Sequence, residues 1–286
     1  MQGEIVKMNT IDVVTVVAGI DLKNIQLVLD SLTNRLNVNK VFVITNAVEK
    51  VPRSESVVVI DEKELISTSD INKMKNIPVA YFPTRFGWYY QQFLKMQFAK
   101  STYCQGDYLI WDADTVLLKP LDLIEEGKYI FTVGKEKLNK DYHITYERLL
   151  GNEPKVKSSM ISQHLFVNKK IMVALIDEIT DKYNQPFYFS ILENCIGSGK
   201  SLFSEYETYV NYAIEQKLPH VIKERVWFRN AAAIVGYTPS DKTLKRFFYM
   251  ADFIALEKFD IRFTRKCKGL LMYSKFILSY FLGRKS

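Results

Sequence analysis

The stretch Tyr108-Leu-Ile-Trp-Asp-Ala-Asp-Thr-Val-Leu-Leu-Lys-Pro120 decides how this chain is read. Its four opening apolar residues form a short buried-strand pattern, covered on both faces. The run breaks into Asp112-Ala-Asp114, and because side chains alternate along extended backbone, the two carboxylates are expected to point to one side. Extended residues 116–118 follow, and Pro120 ends them. Ligands of open α/β sheets bind at the carboxyl ends of strands, where two converging acids repel unless a cation or a proton lies between them. Mg²⁺ or Mn²⁺ held by Asp112 and Asp114 and completed by substrate phosphates meets that requirement.

Working outward, residues 11–17 are a continuous β-branched, apolar run, followed by a turn at Gly19 and by helical spacing of apolar residues over 22–36. Residues 41–44 and 57–60 repeat the buried-strand pattern, and residues 83–87 read as a breaker ahead of a helix over 88–99. Beyond the acidic pair, 129–133 and 165–167 read as strands and 171–182 and 205–216 as helices. The polar, breaker-rich stretch 151–159 reads as a mobile loop. Strands alternating with helices predict an α/β fold with a mainly parallel central sheet flanked by helices. With 286 residues, 48% of them hydrophobic, one large core accounts for the length, giving a catalytic domain over 1–260 and a tail over 261–286.

Four polar residues lie at or within the helix before the acidic strand. Gln91 and Lys95 are four apart on one helical face, as are Trp88 and Gln92, and such a face can reach a ribose and a diphosphate. Lys95 offers a point charge and Arg85 a planar fork suited to phosphate. Against this stands a solvated polar face opposite a core stripe of Phe93 and Met96. Downstream, His164 stands at the start of a strand, and if Gln163 lies in it too the two point to opposite faces, so at most one of them should face a site; a neutral imidazole there suits a sugar hydroxyl or a metal. Ser204-Glu-Tyr-Glu207 opens a helix with Ser204 as N-cap and Glu207 as its capping-box partner. That leaves Glu205 as the freer carboxylate, with Glu207 behind it as a candidate base.

The string WDADTVLLKP resembles the DxD segment of GT-A glycosyltransferases. Together with RFGWYYQQFLK (85–95), SQHLF (162–166) and FSEYETY (203–209), it resembles a family of bacterial glycosyltransferases of surface polysaccharide assembly, capsule or lipopolysaccharide, over roughly residues 11–260. The resemblance implies a GT-A, Rossmann-like fold and a nucleotide-diphosphate sugar, with a leaning to UDP, lying over the first strand and residues 17–21. It implies Arg85, Gln91, Gln92, Lys95, Asp112 and Asp114 around that donor, and Gln163 and His164 near a saccharide or lipid-linked acceptor. For an inverting, hexosyltransferase-like enzyme it further implies a base such as Glu205 at the start of a late helix. The rival enzyme class is a haloacid-dehalogenase-like phosphatase or phosphotransferase with Asp112 as nucleophile, but no second acidic pair of its kind follows residue 114. A non-catalytic polysaccharide-binding protein would need neither a metal nor paired acids.

Charge is unevenly placed. The net charge is +7, and residues 261–286 carry Arg262, Arg265, Lys266, Lys268, Lys275, Arg284 and Lys285 with no acid, so the other 260 residues balance. A neutral body argues against nucleic acid as a partner, while a basic, apolar tail suits peripheral contact with an anionic membrane. Its apolar run is too short for an ordinary span of about 20 residues. Three dispersed cysteines, Cys104, Cys195 and Cys267, argue against a disulfide framework or a zinc site, and the acidic N-terminal segment does not read as a signal peptide. A cytoplasmic location at the inner face of the cell membrane is the expectation.

Overall fold

The structure, a computed structural model, describes residues 10–245, 247, 249–258, 267, 269–275, 277 and 278. The start of the N-terminal segment, the expected domain boundary at 260/261 and the far end of the tail lie outside the described residues. The strands are β1 (Ile11–Val16), β2 (Val38–Thr45), β3 (Val57–Asp61), β4 (Tyr108–Trp111), β5 (Thr115–Leu117), β6 (Ile124–Glu125), β7 (Lys128–Thr132), β8 (His164–Val167), β9 (His220–Lys223), β10 (Trp227–Phe228) and β11 (Phe253–Ala255). The principal helices are α1 (Ile25–Thr33), α2 (Thr68–Met74), α3 (Phe82–Gln97), α4 (Lys140–Leu150), α5 (Lys169–Tyr183), α6 (Phe187–Asn194) and α7 (Glu205–Glu215).

The central sheet runs β3-β2-β1-β4-β8, with β1 to β4 mutually parallel and β8 antiparallel to β4. It is the mixed α/β architecture expected, a mostly parallel sheet flanked by helices and compatible with a Rossmann-like arrangement. Val13, Val14, Leu109, Ile110 and Trp111 are buried because both faces of the inner strands are covered. From β1 the chain moves outward to β2 and β3, then crosses back to β4 on the other side of β1, which makes the β1/β4 boundary a topological switch point. A crevice opens there at the carboxyl ends of the strands.

Two smaller sheets, β10-β11-β5 and β6-β7-β9, were not legible in the sequence. The acidic turn joins the central sheet to the first of them, since β5 leaves the plane of β4 and pairs antiparallel with β11. Two local expectations are corrected. Residues 83–87 do not break a helix but begin one: α3 starts at Phe82, and its proline lies in the first turn, where a missing N–H removes no helical hydrogen bond.

Residues 151–159 are a pinned connection rather than a free loop. Asn211 on α7 accepts from the backbone N–H groups of Lys155 (2.5 Å) and Val156 (2.9 Å) through Oδ1, Asn152 donates to Glu215 (2.5 Å), and Val156 is buried. Charged composition hid these anchors, which come from a helix more than fifty residues away. Asn211→Ala leaves the two N–H groups without their acceptor and is expected to cost about 1–3 kcal/mol. A lowered urea midpoint and faster proteolytic cleavage within 151–159 would show it; an unchanged cleavage rate would mean that the connection is held by other contacts.

Candidate active site

The acidic turn owes its shape to backbone bonds on three sides. Asp112 N–H donates to the Gln163 carbonyl (2.9 Å), Thr115 N–H donates back to the Asp112 carbonyl (3.0 Å), and Leu256 N–H donates to the Asp114 carbonyl (2.7 Å). Ala113 is buried while Asp112 and Asp114 both face a cavity of about 900 Å³ that opens at the β1/β4 switch point. The two side chains converge as expected, though through a turn between sheets rather than through continued strand.

Helix α3 forms one wall. Lys95, fully buried, donates from Nζ to Asp112 Oδ1 (2.5 Å) and to Glu205 Oε1 (2.9 Å). Burial alone would depress its pKa, but the two carboxylates outweigh that and hold it above the ordinary lysine value. Lys95, expected to offer its charge to a diphosphate, has it committed instead to tying the acidic turn to the start of α7. Gln92 braces the same helix start, since its Oε1 accepts from Glu205 N–H (3.0 Å) while its Nε2 donates to the Trp88 carbonyl (3.0 Å). Both residues are buried, so the reading of this face as solvated holds for neither; Gln91 lines the cavity half-buried. Tyr206 completes the cluster by donating to Asp112 Oδ1 (3.0 Å).

Asp114 is in a different electrostatic position. No ion pair reaches it among the described residues, and burial, then Asp112, Glu257 and Asp21, raise its pKa well above the ordinary range, with Lys95 opposing. A carboxyl with hard oxygen donors, surrounded by like charge, is chemically suited to a divalent cation. Among the described residues no group of three or more His, Cys, Asp and Glu side chains forms a metal cage by itself. Two carboxylates leaving room for phosphate oxygens is the Mg²⁺-type arrangement.

Arg85 lines the cavity farther along α3. It donates from Nη2 to Ser201 Oγ (2.8 Å), stacks over Trp88 with Cζ 4.3 Å from the ring centroid, and leaves Nε buried without a partner among the described residues. On the other side of α3, the Phe86 and Tyr90 rings stack at 5.4 Å, one turn apart, facing the cavity with Glu62 and Lys75.

Of the pair at β8, Gln163 faces the cavity and His164 does not. Gln163 is held at φ +67, a left-handed conformation uncommon for a residue with a Cβ, directly beside the acidic turn. His164 is packed between Trp111 and Phe253, with ring centroids 5.5 and 5.0 Å away. Its Nδ1 donates to the Ser162 carbonyl (3.0 Å), so Nε2 is left to accept from Thr132 Oγ1 (3.1 Å). This placement corrects the acceptor-side expectation for His164: the left-handed Gln163, just before β8, faces the cavity, and the aromatic core takes the imidazole.

Burial, with Arg225 nearby, lowers the His164 pKa from 6.5 to about 3. The unfolded chain therefore binds a proton that the folded chain refuses, so this residue erodes stability as pH falls from 6.5 toward 3. Its imidazole resonances are expected to stay at their neutral positions from pH 8 to pH 5 in an NMR titration; a midpoint near the ordinary histidine value would contradict the packing.

Glu207 is likewise structural. Its Oε1 accepts from Met160 N–H (2.9 Å) and it does not line the cavity. Ser204 caps α7 through Glu207 N–H (3.4 Å), but the Glu207 carboxylate reaches to Met160 instead of closing the capping box. Glu205 alone of the two faces the cavity.

Several cavity residues had no signal in the sequence. Arg229 pairs with Glu257 (2.6 Å) and with Glu136, and all three line the cavity; Asp21, at the end of the stretch expected under the donor, lines it as well and accepts from Tyr237 OH. Arg229 and Glu257 follow the short strands β10 and β11, and Glu136 follows β7, with no spacing that marks them. Tyr206 could have been found, since it lies inside the Ser-Glu-Tyr-Glu segment.

Fold and cavity together define an α/β protein with an acid-floored cleft at the switch point of a mostly parallel sheet. Residues 22–240 match the model of a family of unknown function, DUF6492, and the chain belongs to that family. A search of curated proteins finds no match.

Proposed function

We propose that the protein is a metal-dependent GT-A glycosyltransferase that moves a sugar from a nucleotide diphosphate, with UDP favoured, to a saccharide or lipid-linked acceptor in bacterial surface polysaccharide assembly. The observation that carries this reading is the juxtaposition of Asp112 and Asp114 with Glu205 in one cavity at the switch point, with Lys95 joining Asp112 to Glu205. A volume of about 900 Å³ is in the range of sites for sizeable ligands.

Asp114 and the remaining oxygen of Asp112 would hold Mn²⁺ or Mg²⁺. When bound, such an ion offsets the charge that grows on a departing diphosphate. The stacked Phe86 and Tyr90 offer an aromatic surface to a base, and Arg85 a fork to phosphate or sugar hydroxyls. Glu205 is the acceptor-activating base of an inverting reaction. Burial raises its pKa and Lys95 opposes that, which makes it a stronger base than an exposed carboxylate. Gln92 and Lys95 fix its position from the backbone and side-chain sides respectively. Asp112 Oδ1, already occupied by Lys95 and Tyr206, is poorly placed as the nucleophile of a phosphotransferase.

The test is to incubate purified protein with a panel of nucleotide sugars, with Mn²⁺ or Mg²⁺ and with EDTA, and to assay released nucleotide diphosphate alongside nucleotide binding. Metal-dependent release from one donor supports the reading. Neither release nor metal-dependent binding from any donor would overturn it.

A further inference from the structure

The basic tail sends a helical stretch, described at 267, 269–275, 277 and 278, back against the body. Two positions one turn apart face inward. Gly269 approaches so closely that a Cβ there would lie 2.4 Å from Ala233 Cβ, and Tyr273 packs on Phe228 (5.7 Å) and Phe247 (5.4 Å). The opposite face has no such cover: Leu270, Leu271 and Leu278 are 49%, 58% and 63% exposed, and Lys275 lies exposed between the last two. Leu271 and Leu278 are seven apart, so they share one helical stripe with Lys275.

We infer that this outward face is a docking surface for an anionic lipid bilayer, with Leu270, Leu271 and Leu278 entering the interface, Lys275 at the headgroups, and the tail's positive charge attracting it to them. Charge decides between possible occupants. A second copy of the chain would bring two tails of seven positive charges and no acid together, which is repulsive, whereas a surface of anionic headgroups complements both the charge and the apolar stripe. No helix among the described residues is long and apolar enough to cross a membrane. The docking also has a direction. Tyr273 leans on Phe228 and Gly269 lies against Asn230, the two neighbours of Arg229 in the cavity wall, so the tail helix lies between that wall and the bilayer.

The inference is independent of the glycosyltransferase reading and is tested without substrate. Full-length protein is floated with vesicles of phosphatidylcholine alone or mixed with phosphatidylglycerol, at low and high salt. Co-flotation is expected with the anionic vesicles, weakened by salt, and lost in Leu271→Glu/Leu278→Glu; Lys275→Glu reverses one charge and should weaken partitioning by at least about fivefold, one surface charge's worth. The substituted side chains are exposed, so unchanged melting curves are expected and would separate lost docking from lost folding. Equal binding to neutral vesicles, no binding to either, or full retention by the double variant would each overturn the inference. So would a wild-type dimer in sedimentation that the double variant converts to monomer, since the face would then belong to a second copy.

Discussion

Asp114→Asn is expected to lower metal-dependent release of nucleotide diphosphate by about 10²–10³-fold, the usual size of a lost electrostatic contact to developing charge. The substitution preserves shape and removes only charge, and it does so at the one floor carboxyl that no described cation pairs with. Asp112 remains, but its Oδ1 is shared by Lys95 and Tyr206, so it cannot compensate. Stability should move the other way. An acid whose folded pKa lies above its unfolded value binds its proton more tightly in the folded state, so it disfavours folding at neutral pH and the penalty fades as pH falls. Asn carries no such penalty. The variant should therefore melt no lower than the wild type at pH 7 without metal, and added Mn²⁺ should raise the melting temperature of the wild type alone. A variant that keeps full release, or that gains the same stabilisation from Mn²⁺, would remove Asp114 from the metal site.

Lys95→Met is expected to be the most damaging single change in the cavity, costing about 3–5 kcal/mol of stability, because it leaves the buried Glu205 and the half-buried Asp112 without their shared counter-ion. Removing the charge does more harm than the ion pair's own net strength suggests: the pair's attraction and its desolvation nearly cancel while both partners are present, and only the desolvation remains when one is gone. The pH dependence gives the signature. In the wild type the raised lysine pKa contributes stability that is fully present below 10.5 and is lost only at strongly alkaline pH. In the variant, Glu205, whose pKa burial already raises, relieves that burial by taking up a proton, so the deficit should shrink as pH is lowered from 8 to 5. Urea midpoints of the two proteins across that range decide it. A deficit independent of pH would mean that Lys95 matters through packing alone.

The acidic turn was legible because it joins two strong local signals, a fully apolar strand and a pair of acids directly after it. The placement of Glu205 was legible for a similar reason: Ser204 marks the start of α7, and the first residue of a helix after a capping serine has a defined position. His164 and Glu207 were not separable from their neighbours on that basis. Both belong to segments whose boundaries the sequence showed, yet which of two adjacent or near-adjacent polar side chains faces the cavity depends on what fills the space behind it. For His164 that filling is Trp111 and Phe253, and for Glu207 it is the Met160 backbone. The helix start at Phe82 was missed because proline was weighed as a breaker, when its first-turn preference was the principle that applied.

By itself, then, the sequence determined an α/β fold built on β1 to β4, the convergence of Asp112 and Asp114 at the end of β4, and the concentration of positive charge in the tail. These are short-range properties, set by the period of apolar side chains and by the residues that interrupt it. Only the tertiary structure decided that Lys95 pairs with Asp112 and Glu205, that Arg229, Glu136 and Glu257 line the same cavity, and that Gly269 and Tyr273 turn the tail's apolar stripe outward. The physical reason is distance along the chain: Lys95 and Glu205 are 110 residues apart, and no local pattern records which buried charge will meet which.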